Sequence, residues 1–252
     1  MTINNCDFNL FPNFLLNFDP QILMKSQKIF DNVRFLIYKS SKRDRPVWFF
    51  CKVDRISSMD LKENIISESL KLFSLKGFLS TSIQDIMEAA HTSKGGLYNH
   101  FKSKEDLLSA VLEEARKIWR ENNLAGLDQI KKPVERLKKL LENYRDRYLK
   151  DTTKLPGGCI FVTLSVELDD QRPHLTHEIN RGFAGLKVMI KDFLDQGKNV
   201  GDLRNDIDTK AVTEMIFSII LGAAVIYGLE KGSSAADNSI NAVIRYIDGL
   251  VD

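Results

Sequence analysis

From about residue 59 to the C-terminus, apolar residues recur every three or four positions, and that period predicts an all-α fold. Ile65, Ile66, Leu70 and Phe73 share one face of a first helix, and Gly77 stands where a left-handed residue would end it. Ser82 and Asp85 have capping-box spacing ahead of a short helix over Ile83–Ala90 that buries Ile83, Ile86 and Met87. A turn at His91-Thr92 leads into a helix over Ser93–Phe101. Ser103-Lys104-Glu105-Asp106 then repeats the cap pattern before Leu107, Leu108, Val111 and Leu112. Pro133 suits the first position of another helix, with Leu137, Leu140, Leu141, Tyr144 and Tyr148 on its apolar side, and Pro156-Gly157-Gly158 breaks it. Cys159–Leu168 is a near-continuous apolar run with β-branched residues. Pattern alone permits a strand there, while the helices on both sides favour a helix. Pro173–Lys198, Thr209–Lys231 and Ala235–Val251 complete the set. The last two read as an antiparallel hairpin: Met215, Ile216, Ile219, Ile220, Ala223, Ala224 and Tyr227 make one broadly apolar, and Ile240, Val243, Ile244, Ile247 and Leu250 form a stripe on the other.

Residues 1–58 break the pattern. They are rich in Phe and Asn, poor in helical period, and carry a basic patch, Lys39–Arg45. Met59-Asp60-Leu61-Lys62 reads as the opening of a coding sequence. The expectation is that translation begins at Met59 and that 1–58 is upstream sequence or an extension without fixed structure. The rival is an N-terminal arm whose basic patch touches DNA.

Composition narrows the class. A chain of 252 residues, 43% hydrophobic and 28% charged, is an ordinary globular protein of one large or two small domains. The net charge of +2 decides nothing about nucleic acid, because a small reading module can sit inside a neutral chain. The longest apolar stretch, Met215–Ile226, is interrupted by Ser218 and Gly222 and falls short of the roughly 18 residues that span a bilayer. No membrane association and no secretory signal is expected. Cys6, Cys51 and Cys159 are too scattered for a disulfide framework or a zinc site, which suits a reducing cytoplasm. No Gly-rich phosphate loop, nucleophile elbow, metal set or catalytic carboxylate pair appears, so neither an enzyme nor a cofactor is implied.

Between Ser82 and Phe101 the spacing is that of a helix-turn-helix, in which a scaffold helix and a tight turn present a second helix to the major groove. Ser93, Lys94, Gly95, Gly96 and Asn99 make one side of that helix polar and small, while Leu97 and Phe101 offer the other for burial. By pattern alone, a polar surface on a short core helix fits equally well. Gly77-Phe78, Thr81-Ser82-Ile83, Asp85-Ile86, Ala90, Ser93-Lys94-Gly95, Leu97-Tyr98, His100-Phe101 and Ser103-Lys104-Glu105-Asp106-Leu107 together resemble the signature of the TetR family of bacterial regulators, over roughly Ser58–Ile118. One departure is His91, where the family usually has Gly; a positive φ is expected there, which His tolerates better than most residues.

The resemblance implies a three-helix DNA-binding domain over 58–118, with its helix-turn-helix at 81–100, and a helical effector-binding and dimerisation domain over 119–252. By the same resemblance Thr81, Ser82, Tyr98, His100 and Lys104 hold phosphates, which position without reading sequence. Thr92, Ser93, Lys94, Gly96 and Asn99 are left to read bases, with Gly95 allowing close approach. It further implies a homodimer through about 208–251, a palindromic double-stranded operator, a small-molecule effector, and repression as the commoner mode. The helix from Ser103 to Asn122 would carry movement between the two domains.

Candidate effector-pocket residues are Tyr144, Cys159, Phe161, Leu164, Phe183, Met189 and Phe193, each of which also fits ordinary core packing. Cys159 follows Gly157-Gly158 at a helix start, where the dipole can lower a thiol pKa, so thiol sensing stands beside an inert core role. His174 and His177 beside Glu178 lack a third ligand, and a solvated helix start is the favoured reading over a metal site. Lys138-Lys139 and Arg145–Arg147 read as solvated helix faces.

Overall fold

The computed structural model describes residues 58–168, 172–230 and 234–251, together with the backbone of three short strands nearer the N-terminus. It divides into two units, Met1–Ser58 and Met59–Asp252. In the first, β1 (Ile29–Phe30), β2 (Val33–Tyr38) and β3 (Val47–Phe50) pair antiparallel in that order, with Phe30 opposite Val33 and Ile37 opposite Trp48. β-Branched and aromatic residues suit such a ladder. The basic patch Lys39–Arg45, Cys6 and Cys51 lie outside the described residues.

In the second unit every regular element among the described residues is helical. α1 (Ser58–Lys76) buries Ile65, Leu70 and Phe73 and stops at Gly77, whose φ of 81° only glycine adopts freely. α2 (Ile83–Ala89) and α3 (Lys94–Tyr98) complete a head, and α4 (Lys104–Asn123) leaves it as a 20-residue helix with Leu107, Leu108, Val111 and Leu112 buried. α5 (Pro133–Asn143) runs on through a π turn, Tyr144–Tyr148, in which the two tyrosines stack with centroids 5.6 Å apart. The ambiguous run is helix: α6 spans Ile160–Leu168. α7 (Pro173–Asn199) packs on α5, α6 and α8 (Thr209–Glu230), and α8 packs on α9 (Ser234–Asp248).

Two surface assignments are corrected. Lys138 is not solvated: Asp248 at the end of α9 takes its ammonium at 2.9 Å and Glu135 at 2.6 Å. Arg145 likewise donates to the Asn241 side-chain oxygen on α9 and lies 2.8 Å from Asp146 through Nε. Both side chains are under a fifth exposed, at 18% and 19%, and they pin α9 to the α5 rod. Lys139 and Arg147 keep to the surface as expected. The apolar stretch of α8 is also longer than the sequence reading allowed. The helix is 22 residues long and its most apolar 18 residues have a mean hydropathy of 2.0, which meets the length and composition of a membrane span, with a third of that stretch buried against neighbours.

Candidate functional site

The α2–turn–α3 segment is fixed almost entirely by its own residues. Ser82 Oγ accepts from Asp85 N–H at 3.0 Å while the Asp85 carboxylate accepts from Ser82 N–H at 2.8 Å, closing the expected capping box. The Ser82 amide is the main cause holding the Asp85 carboxyl below its ordinary pKa, the Ser82 hydroxyl the next. That pairing is therefore present above the ordinary carboxylate pKa and lost as pH falls through the lowered one. His91 takes a φ of 50°, the left-handed turn its position demanded. Ser93 caps α3 by accepting from Gly96 N–H at 3.2 Å. Ile86, Ala90, Leu97 and Phe101 are buried, and Asn64 on α1 donates to the Ala90 carbonyl at 2.9 Å, tying the end of α2 to the head.

With its apolar side spent inward, α3 turns Ser93, Lys94, Gly95, Tyr98 and Asn99 outward, with Ser82 exposed nearby and Thr92, Gly96 and His100 half-buried. The two glycines differ. A Cβ on Gly96 would meet Thr92 Oγ1 at 2.4 Å, so the Thr92 side chain would have to turn aside for it. One on Gly95 would meet nothing nearer than Ser93 Oγ at 3.9 Å, so packing within the head does not require glycine there.

Two of the expected phosphate-holding residues are placed elsewhere. Thr81 is fully buried, and its hydroxyl donates at 2.6 Å to the Gly77 carbonyl that the end of α1 leaves unpaired. Lys104 is half-buried; its Nζ donates to the Phe78 carbonyl and lies 4.3 Å from the Phe78 ring centroid. Burial pushes the Lys104 ammonium pKa down, against the opposing fields of Glu167 and Asp85. The spacing that marks these positions is real, but it serves the junction of α1, α2 and α4. At α4 the cap is also offset: Ser103 Oγ accepts from Asp106 N–H at 3.1 Å, whereas the Asp106 carboxylate reaches Lys102 N–H.

Deeper in the bundle lies a cavity of about 310 Å³ between α4, the π turn, α6, α7 and α8. Tyr144, Cys159, Phe161, Phe183 and Met189 line it, as the sequence suggested. Leu164 and Phe193 do not. Leu164 is fully buried in the core, and Phe193, one turn beyond Met189 on α7, packs against that core. Arg116, Trp119 and Arg120 were missed; their i, i+3, i+4 spacing marks a common face of α4 without saying what that face meets. Tyr144 donates at 3.2 Å to the Ile220 carbonyl. Cys159 is buried within 3.5 Å of the Tyr148 hydroxyl, and desolvation raises its thiol pKa. The amides of Phe161 and Val162 and the tyrosine hydroxyls pull the other way and lose, so the helix start does not make this a thiolate. His174 lies 3.3 Å from Glu105, which also takes Arg172 Nε at 3.1 Å, and no cluster of metal-ligating side chains occurs among the described residues.

Between cavity and head stands α6, docked at both ends. Ahead of it, Gly157 N–H donates to Ser74 Oγ on α1 at 3.2 Å, so close that a Cβ on Gly157 would lie 1.8 Å from the Ser74 carbonyl oxygen. Near its far end, the Glu167 carboxylate accepts from Phe78 N–H at 2.6 Å and Leu79 N–H at 2.8 Å. It fills the place where any Cβ on Gly77 would stand. Cys159, Phe161 and Val162, between the two latches, face the cavity.

Comparison with known proteins bears on both halves. Residues 65–111 match the family model described as bacterial regulatory proteins, tetR family, and residues 133–243 match the tetracyclin repressor-like C-terminal domain. An uncharacterized HTH-type transcriptional regulator in the lacX 3' region of Lactococcus lactis subsp. lactis is 32% identical, over 53% of this chain and 67% of that protein. The HTH-type transcriptional repressor DhaR of Mycobacterium sp. (strain GP1) is 24% identical over 73% of this chain and 91% of its own length. Among solved structures, a TetR transcriptional regulator from Chloroflexus aurantiacus J-10-FL superimposes with a TM-score of 0.71 at 25% identity, covering 78% of this chain and 98% of that one.

Proposed function

Because the chain belongs to the TetR family of DNA-binding transcriptional regulators, not enzymes, we propose that it is a cytoplasmic homodimeric repressor released from a palindromic operator by a small molecule. The observation that carries this reading is the division of labour on α3. Leu97 and Phe101 hold the helix to the head, and Ser93, Lys94, Gly95, Tyr98 and Asn99 are left outward. Lys94 and Asn99 have the donors that guanine and adenine edges accept, and Thr92, Ser93 and Gly96 flank them. Ser82, Tyr98 and His100 supply the phosphate contacts. Thr81 and Lys104 support the head from within. Repression follows the relative named as a repressor along nine-tenths of its length.

One such head reads too few base pairs, and a second copy half a site away, one helical turn or about 34 Å, supplies the rest. The pairing surface is the α8–α9 hairpin. Val225, Leu229 and Tyr246 stay 44%, 78% and 43% exposed on it, and the apolar excess of α8 is better covered by a second copy than by lipid. The effector occupies the cavity. Its signal reaches the heads along α4, and along α6 through Ser74, Phe78 and Leu79. A ligand that favours the arrangement with the heads misplaced lowers operator affinity by its differential affinity for the two arrangements.

Fluorescence anisotropy against DNA flanking the protein's own gene tests the reading. Tight, selective binding that the Tyr98→Ala/Asn99→Ala double variant loses is the expected result. Binding that is non-selective and indifferent to both changes would remove α3 as the reader.

A further inference from the structure

We infer that the effector is an aromatic or similarly flat apolar molecule carrying a single anionic group, such as a carboxylate, held by Arg116 and Arg120. This rests on reading the cavity as the effector site. Its wall is hydrocarbon and aromatic over most of its area, with Trp119, Phe161, Phe183 and Met189 as its large side chains. At about 310 Å³ it stands at the small end of ligand pockets, which run from roughly 300 to 1,000 Å³, so it suits two fused rings with a short polar tail.

The polar groups of the lining set the sign of the charge. Tyr144 has its hydroxyl proton on the Ile220 carbonyl, and the Cys159 thiol is held neutral by burial. The charged side chains on the wall are both arginines, one turn apart on α4, and no carboxylate lines it. A cationic ligand would give up its water for a site that offers it like charge and no acceptor of opposite sign, a doubly unfavourable exchange.

An anion meets groups ready to change partners. Arg116 and Arg120 both lean on Glu113, each at 3.3 Å, longer than the roughly 2.7–2.9 Å of a good charge-assisted bond. Glu113 is 64% exposed, so water takes it back at little cost once a ligand carboxylate replaces it. Arg116 is further anchored to Glu178 on α7 at 3.0 Å, which fixes its guanidinium at the cavity edge. Arg120, with a side chain 53% exposed, is the mobile partner that closes on the anion.

Calorimetric titration of the full chain with three probes of one shape tests this: 2-naphthoate, 2-naphthylmethanol and 2-naphthylmethylammonium. The expected order is naphthoate tightest, at least tenfold over the ammonium, with the alcohol between. Arg120→Gln and Arg116→Gln are each expected to remove most of the naphthoate advantage and leave the alcohol unchanged. An ammonium that binds as well as the naphthoate, while Gly182→Trp at the cavity wall still blocks both, overturns the anion and leaves the cavity as the effector site. Binding of none of the probes, or binding that Gly182→Trp does not touch, overturns the cavity reading itself.

Discussion

α3 and α6 are both short helices preceded by tight turns, yet they are held by opposite means. For α3 the constraints are near in sequence: the Ser93 cap, the left-handed His91, and the inward Leu97 and Phe101. The latches of α6 come from 83 to 89 residues away, on Ser74, Phe78 and Leu79. The difference has a functional consequence. On the proposed function, a head built from local contacts keeps its shape whatever the bundle does, so an effector would change where the head points and not what it reads. The tie between that head and the helix lining the cavity rests on a few distant contacts, on Ser74, Phe78 and Leu79.

The sharpest way to break the comparison is to add one methyl group to each region. Gly157→Ala drives a Cβ into the Ser74 carbonyl, a backbone obstacle with no flexible end to yield. Overpacking usually costs about 1–3 kcal/mol, and this case belongs at about 3 kcal/mol or above. Urea unfolding is expected to show that loss at an unchanged m-value. Gly95→Ala has open space around its Cβ and is expected to leave the midpoint unmoved or slightly raised while operator affinity falls. Equal stability losses at both positions would mean that α3 is packed from outside as tightly as α6.

Next in size is Glu167→Ala. It strips the acceptor from two amides, one of them part-buried, at about 1–3 kcal/mol. Hydrogen exchange at Phe78 and Leu79 should accelerate selectively, and with the Glu167 field removed the Lys104 pKa should fall further. Glu167→Gln keeps one acceptor and should fall between. Unchanged protection at both amides would dissolve the latch.

The same contrast explains what could be read from the sequence. Helix period, caps and turn residues are local, so the extents of α1, α2 and α4, the left-handed Gly77 and His91, and the outward face of α3 were visible, although α3 ends at Tyr98 and not at Phe101. Thr81 and Lys104 were placed correctly on their elements, but their inward partners were not foreseen, because a hydroxyl and an ammonium serve a carbonyl inside as readily as a phosphate outside. Glu167 carried no local signal at all. One carboxylate in an apolar helix reads as a solvated charge until the fold sets Phe78 and Leu79 beside it. Leu164 and Phe193 show the same limit for the cavity: apolar type is legible, but which apolar residues face a void is decided by the crossing of helices far apart in the chain.

Thr81→Val sharpens the assignment of the head's interior. The valine fills the same volume and leaves the Gly77 carbonyl without its donor, at about 1 kcal/mol. The slope of log affinity against log salt is expected to stay that of the parent, since a fully buried hydroxyl touches no phosphate. A shallower slope accompanying weaker binding would return Thr81 to the DNA surface.

The smallest effect expected is a gain, from His91→Gly. A left-handed residue with a Cβ costs about 1–2 kcal/mol, somewhat less for His, and glycine escapes that. Glycine in turn gives the unfolded chain more freedom, worth about 0.5–1 kcal/mol. The terms oppose and nearly cancel, leaving about 0.5 kcal/mol of stabilisation at φ 50°. Thermal unfolding should register a small rise, with operator selectivity unchanged because the turn keeps its shape. A fall in stability would mean that the imidazole holds the turn through its own contacts, and the head would then depend on a side chain its local backbone does not require.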